Sequence, residues 1–172
     1  MKVRRQARVT ALQSLFEIDS VNHDPELVIA ERLQEDPLPA LAEGFSRALL
    51  FGVLANRASL DAMIQQIASE WPIDTMAPVD RNILRLAAYE LMVDLGTPPK
   101  VAINEAVELG KIFGSDSSGR FVNGVLGTLL NHKQEMANAY HFTLFAAGHP
   151  DDGSSPVEGE GEPPPSEGNE HP

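Results

Sequence analysis

The sequence predicts an all-α protein, a bundle of seven helices followed by an acidic tail. Three observations predict it. Apolar residues recur at three- and four-residue spacing through most of the first 147 residues. Pro and Gly interrupt that pattern at intervals suited to helices. Period-two runs joined by hairpin turns are absent. A chain of 172 residues is long enough for one cored domain and short for two. No repeat of fixed period argues for a solenoid.

The first helix is expected over about Lys2 to Asp19, with Ala7, Ala11, Leu12, Leu15 and Phe16 on its apolar side. That spacing assigns Phe16 to the core rather than to an exposed stacking platform. Asp24-Pro25 starts the second helix, a cap followed by Pro at the first helical position, and Pro37-Leu38-Pro39 ends it. The third runs over about Ala40 to Arg57. Ser59 is the expected cap of the fourth, which carries Leu60, Met63, Ile64 and Ile67 until Trp71-Pro72 stops it. The fifth, about Val79 to Leu95, is apolar nearly all round and is expected to lie centrally. The sixth follows Thr97-Pro98-Pro99 and ends at Gly114, and the seventh starts near Ser117 with Val122, Val125, Leu126 and Leu129 inward.

From about Gly148 the composition changes to Pro, Gly, Ser and acids, so residues 148–172 are expected to be a disordered tail outside the 1–147 domain. This division governs the charge. The chain carries a formal net charge of -12, but from Asp151 onward there are seven acids and no Lys or Arg, leaving 13 bases against 18 acids in the remainder. Lys2, Arg4, Arg5 and Arg8 precede the first acid, Glu17, and form a local basic island. No apolar run reaches the roughly 18 residues of a membrane span, and the N-terminus lacks the pattern of a secretory signal. These features favour the cytoplasm. The absence of cysteine excludes disulfides, thiolate metal sites and a cysteine nucleophile.

Acid, base and metal chemistry find little support. The five histidines do not have zincin spacing. Glu105 and Glu108 lack the Glu-x-x-His partners of a bundle di-metal site and read as a solvated face, with Glu108 near Lys111. Gly110, Gly114 and Gly119 read as helix-end and turn glycines. Neither a catalytic residue, a metal site nor a cofactor is expected. Arg4, Arg5 and Arg8 are either a phosphate-binding patch or a solvated helix start; positive charge in a first turn opposes the helix dipole, so local stability does not account for it. Gln13, farther along the same helix, could add a neutral hydrogen bond. Arg81, Arg85 and Tyr89 lie at i, i+4 and i+8 and either dock a partner or, for the two arginines, pair with acids inside the domain.

The runs Asp80-Arg81-Asn82-Ile83-Leu84-Arg85-Leu86-Ala87-Ala88-Tyr89-Glu90-Leu91, Val101-Ala102-Ile103-Asn104-Glu105-Ala106-Val107-Glu108-Leu109 and Arg120-Phe121-Val122-Asn123-Gly124-Val125-Leu126 resemble the NusB family of transcription antitermination factors. The Arg-rich start followed by Ala11-Leu12-Gln13-Ser14-Leu15-Phe16 resembles the family's opening, and the resemblance spans about Arg4 to Leu130. It implies seven helices in two packed halves. It also implies binding of single-stranded boxA RNA in nascent ribosomal RNA transcripts together with the ribosomal protein NusE, in support of processive RNA polymerase, without catalysis or cofactor. By position it implies Arg4, Arg5, Arg8, Gln13 and Arg120 as RNA-facing and Glu90 as NusE-facing. Arg8→Ala is accordingly expected to weaken RNA binding and leave the fold intact. Gly127 stands where the family commonly has Asp. Two other readings are a homodimeric helical interaction protein and a stand-alone relative of the NusB-like domain of RNA cytosine methyltransferases; the latter enzymes need a further α/β domain.

Overall fold

In a computed structural model, residues 2–93 and 95–145 are described, and the acidic tail expected over 148–172 lies outside them. All regular structure among the described residues is helical. The order is α1 (Lys2–Val21), α2 (Pro25–Glu35), α3 (Ala40–Ala55), α4 (Arg57–Ile67), a 3-10 turn (Ile73–Thr75), α5 (Pro78–Met92), α6 (Pro99–Phe113), α7 (Ser118–Asn131) and α8 (Lys133–Ala139).

Local chemistry accounts for the boundaries. Asp24 caps α2 by accepting a hydrogen bond from Leu27 N at 3.1 Å, with Pro25 at the first position. Ser59 does not cap α4. The chain passes from α3 to α4 through Asn56 alone, leaving Ser59 inside the helix. Helix α4 stops at Ile67, short of Trp71, where Gln65 gathers the following turn. Its amide donates to the Ala68 and Trp71 carbonyls, and its oxygen accepts from Ile73 N at 2.8 Å. The expected seventh helix divides at His132 into α7 and the short α8, which makes eight α-helices among the described residues.

Helix α5 is the central element. Every residue from Asn82 to Leu91 is buried, and the helix packs on α1, α3, α4, α6, α7 and α8. Helices α1, α2 and α3 make one half, and α4 and α6 to α8 surround α5 in the other. Close approaches rely on missing side chains. A Cβ at Gly52 of α3 would collide with the buried Tyr89 ring of α5. One at Gly110 of α6 would lie 3.2 Å from Gly119 N of α7. Gly110 and Gly119 are therefore helix-contact glycines, whereas Gly114 does cap α6.

After α8 the chain returns across the α3–α5 contact. Asn56 accepts from Thr143 N at 2.7 Å and donates to Thr143 O at 2.8 Å. The Tyr89 hydroxyl accepts from Phe145 N at 3.1 Å, and the Phe145 ring meets Phe51 at 5.4 Å between centroids.

Candidate nucleic-acid interface

The basic residues that open α1 turn largely inward. Arg8 is 2% exposed and makes a bidentate pair with Glu90 of α5 at 2.9 and 2.8 Å. Its guanidinium also lies 5.1 Å from the centroid of Phe45. Arg5 forks onto Glu105 of α6 at 2.9 and 3.0 Å, but keeps 41% of its side chain exposed. Arg4 lies over the same Phe45 ring at 4.2 Å and donates to Leu95 O at 3.3 Å. Positive charge at the start of α1, unfavourable for the isolated helix, is thus held by two carboxylates and an aromatic face of the tertiary structure.

These placements correct several expectations. Arg8 is a buried cross-link between α1 and α5, so its truncation would disturb the fold. Glu105 is buried beneath Arg5 rather than solvated, while Glu108 does pair with Lys111 at 3.1 Å. The hydrogen bonds from Arg5 hold the Glu105 carboxyl below its ordinary range against the opposing effect of burial.

The proposed partner face on α5 is also interior. Tyr89 and Glu90 are buried. Arg85 is buried and forks onto Asp61 at 2.7 and 2.8 Å. Arg81 forks onto Asp19 at 3.0 and 2.8 Å, and Asn82 donates to the same Asp19 oxygen at 3.1 Å. Burial opposes ionisation of Asp19, and the hydrogen bonds of Arg81 and Asn82 with the charge of Arg85 more than offset it, holding its pKa below the ordinary value. Arg81 and Arg85 therefore take the intradomain option, tying α1 and α4 to α5.

Along its middle turns α1 carries Gln6 and Phe16 exposed and Val9 and Gln13 partly buried beside them. Phe16 is 42% exposed, contrary to the core placement expected from its spacing. It follows buried Leu15 by one residue, about 100° around the helix, and so falls outside the inward stripe. Leu12, Gln13, Phe16, Arg32, Val79 and Phe113 line a cavity of about 260 Å³. A smaller one of about 130 Å³ continues past Gln6, Val9 and Thr10. Arg32 of α2 borders both; its Nη2 donates to Glu17 at 2.8 Å, and its buried Nε has no partner. Arg32 escaped the sequence reading because a single Arg on a short amphipathic helix carries no local mark of function.

Arg120 stands apart from this group. It is exposed on α7 and borders two other cavities, of about 420 and 370 Å³, with Trp71 and Phe121. Asn104, Asn123 and Gly124 are exposed. A Cβ at Gly124 or Gly127 would meet nothing within 4 Å, so packing requires glycine at neither.

Similarity to known proteins agrees with this architecture. The chain is 48% identical over 135 residues to the transcription antitermination protein NusB of Roseiflexus sp. (strain RS-1), covering 77% of this chain and 95% of that protein. It is 47% identical over 129 residues to the protein of the same name from Chloroflexus aggregans, covering 74% and 86%. Among solved structures it is similar to T. maritima NusB (32% identity, TM-score 0.71, covering 78% of this chain and 96% of that one). It is also similar to a chain in a crystal structure of antitermination factors NusB and NusE with double-stranded RNA (27%, TM-score 0.68, 81% and 99%). The family model for NusB matches residues 5–131, and on these grounds the chain belongs to the NusB family.

Proposed function

We propose that the protein is a transcription antitermination factor that binds single-stranded boxA RNA together with NusE, within the RNA polymerase antitermination complex. It acts in the cytoplasm as a binding protein, without catalysis. Family membership supports this reading, and the observation that carries it to particular residues is the exposed Phe16 ring beside Gln13 and Arg32. Sequence-specific RNA recognition uses unstacked bases laid on aromatic side chains and hydrogen-bonded at their edges. Phe16 offers the stacking face, Gln13 a donor and acceptor, and Arg32 a charge beside them. Arg4 and Arg5 extend positive charge toward the start of α1.

Arg8 and Glu90 take another part in this proposal. Paired and buried, they hold α1 against α5 so that Gln13 and Phe16 keep a fixed outward register. Arg81 does the same through Asp19, and Arg85 holds α4 to α5 through Asp61.

Fluorescence anisotropy of labelled boxA RNA and a scrambled control, each with and without NusE, tests the reading. Tighter binding of boxA when NusE is present, with little gain for the control, is expected. Equal binding of both RNAs without enhancement by NusE overturns it.

A further inference from the structure

Eight of the 13 Lys and Arg pair with a carboxylate of the described residues. The other five, Lys2, Arg4, Lys100, Arg120 and Lys133, make no ion pair with a described residue. Three of these gather where α1 begins. Lys2 opens that helix exposed, and Arg4 rests on the Phe45 ring and the Leu95 carbonyl, contacts that leave its charge unbalanced. Leu95, which meets Arg4, and Glu105, which meets Arg5, lie five residues to either side of exposed Lys100. Neither α1 nor α6 has an acid in its first turn, so the positive ends of two helix dipoles add to the same potential.

The matching negative charge lies in the same chain. From Asp151 onward there are seven acids and no Lys or Arg, and Glu158, Glu160 and Glu162 alternate with glycine. On an extended chain such acids fall on one side, about 6.6 Å apart, a linear array of single negative charges like that of an RNA backbone. The described chain also ends beside the right helix. The Phe145 ring meets Phe51 of α3, and Phe45, beneath Arg4, is six residues back on the same helix, about 9 Å along its axis. The 13 residues from Phe145 to Glu158 span up to about 43 Å, ample for the acids that follow to lie against Lys2 and Arg4.

We propose that the acids of residues 151–162 dock on Lys2, Arg4 and Lys100 and must be displaced by RNA, so that the chain competes with nucleic acid for its own basic surface. Each exposed pair is weak, but tethering raises the local concentration of the segment to about millimolar, enough to populate weak pairs. RNA that has to displace carboxylates releases fewer counterions. The acidic segment therefore lowers RNA affinity at low salt and makes its salt dependence shallower. It does not alter the preference between sequences, since carboxylates contest phosphate contacts and not bases.

The effect on RNA rests on the RNA-binding reading above, the docking does not, and the experiment separates the two. The chain has no cysteine, so a nitroxide on Ser155→Cys in the full chain labels one site. Backbone amide signals of residues 2–5 and 100 are expected to broaden at about 50 mM salt and to recover at about 500 mM, where exposed charges are screened. The same label on a chain that also carries Asp151→Asn, Asp152→Asn, Glu158→Gln, Glu160→Gln and Glu162→Gln should leave them sharp. Equal broadening in both chains, or broadening centred on Arg120 or Lys133, overturns the docking. Wild type and the neutralised chain, both unlabelled, are then titrated with boxA RNA and its scrambled control. The neutralised chain is expected to bind both RNAs about fivefold more tightly than wild type at the lower salt, and no more tightly at the higher. Unchanged affinity at the lower salt, with docking observed, overturns the competition. A gain for boxA alone overturns it as well, because phosphates are common to both RNAs. Failure of either chain to bind RNA would instead overturn the underlying function, while the label still reports the docking.

Discussion

Arg8 and Phe16 show how far a side chain's role depends on the direction it faces. Both lie on α1, and the charged one is inside while the aromatic one is outside. Truncating one member of a buried, hydrogen-bonded ion pair leaves the other charge unpaired, so Arg8→Ala should cost about 3–5 kcal/mol in urea unfolding. Replacing Arg8 and Glu90 together by Met and Leu should recover much of that loss, because no charge then remains buried. Phe16→Ala should change stability by less than about 1 kcal/mol, since nearly half the ring is already in water. Acid has a defined effect at the same scale. Asp19 and Glu105 are held below their ordinary values of 3.8 and 4.5. The folded protein therefore binds fewer protons than the unfolded chain as these groups titrate. Their contribution is fully present above the unfolded values and is lost as pH falls through the lower folded ones. Thermal midpoints should decline between about pH 5 and pH 2, and Glu105→Gln should make that decline shallower.

At the scale of elements, α5 governs the packing. Its polar residues Asn82, Arg85 and Glu90 are buried only because α1 and α4 bring carboxylates and a guanidinium to meet them. Helix α3 reaches α5 through Gly52, where an added methyl would strike the Tyr89 ring. Overpacking of this kind costs about 1–3 kcal/mol, and Gly52→Ala should lower the urea midpoint accordingly. An unchanged midpoint would mean that Tyr89 and the returning segment through Phe145 shift without strain. Most helices were legible because their signals are local: the Asp24-Pro25 cap, the Pro98-Pro99 start and the nearly continuous apolar surface of α5. The end of α4 was not, because Gln65 forms the turn with residues up to eight positions away. The division at His132 has no Pro or Gly to announce it.

Over the whole molecule, the sequence showed which residues share a helix but not which way they face. Arg4, Arg5, Arg8 and Gln13 do lie on one helix. Yet Arg5 and Arg8 meet their acids across separations of 100 and 82 residues, distances over which helical periodicity says nothing. Family motifs likewise pointed to Glu90 without distinguishing a carboxylate that faces a partner from one that holds α1 in place. Phe16, which its spacing assigned to the core, is exposed beside the partly buried Gln13 and Arg32, and Trp71, read from the sequence only as a helix end, is exposed beside Arg120. Removing them should change binding more than stability, and the reverse should hold for the buried pairs.

The most direct measurement of this division compares wild type, Phe16→Ala and Gln13→Ala in anisotropy titrations of boxA RNA with NusE present, each variant's urea unfolding being recorded alongside. Stacking on one aromatic side chain is worth about 1–3 kcal/mol per base, so Phe16→Ala should weaken binding by about fivefold to over a hundredfold while its unfolding midpoint stays near wild type. RNA affinity unchanged in both variants, with the fold intact, would contradict recognition by the outward face of α1.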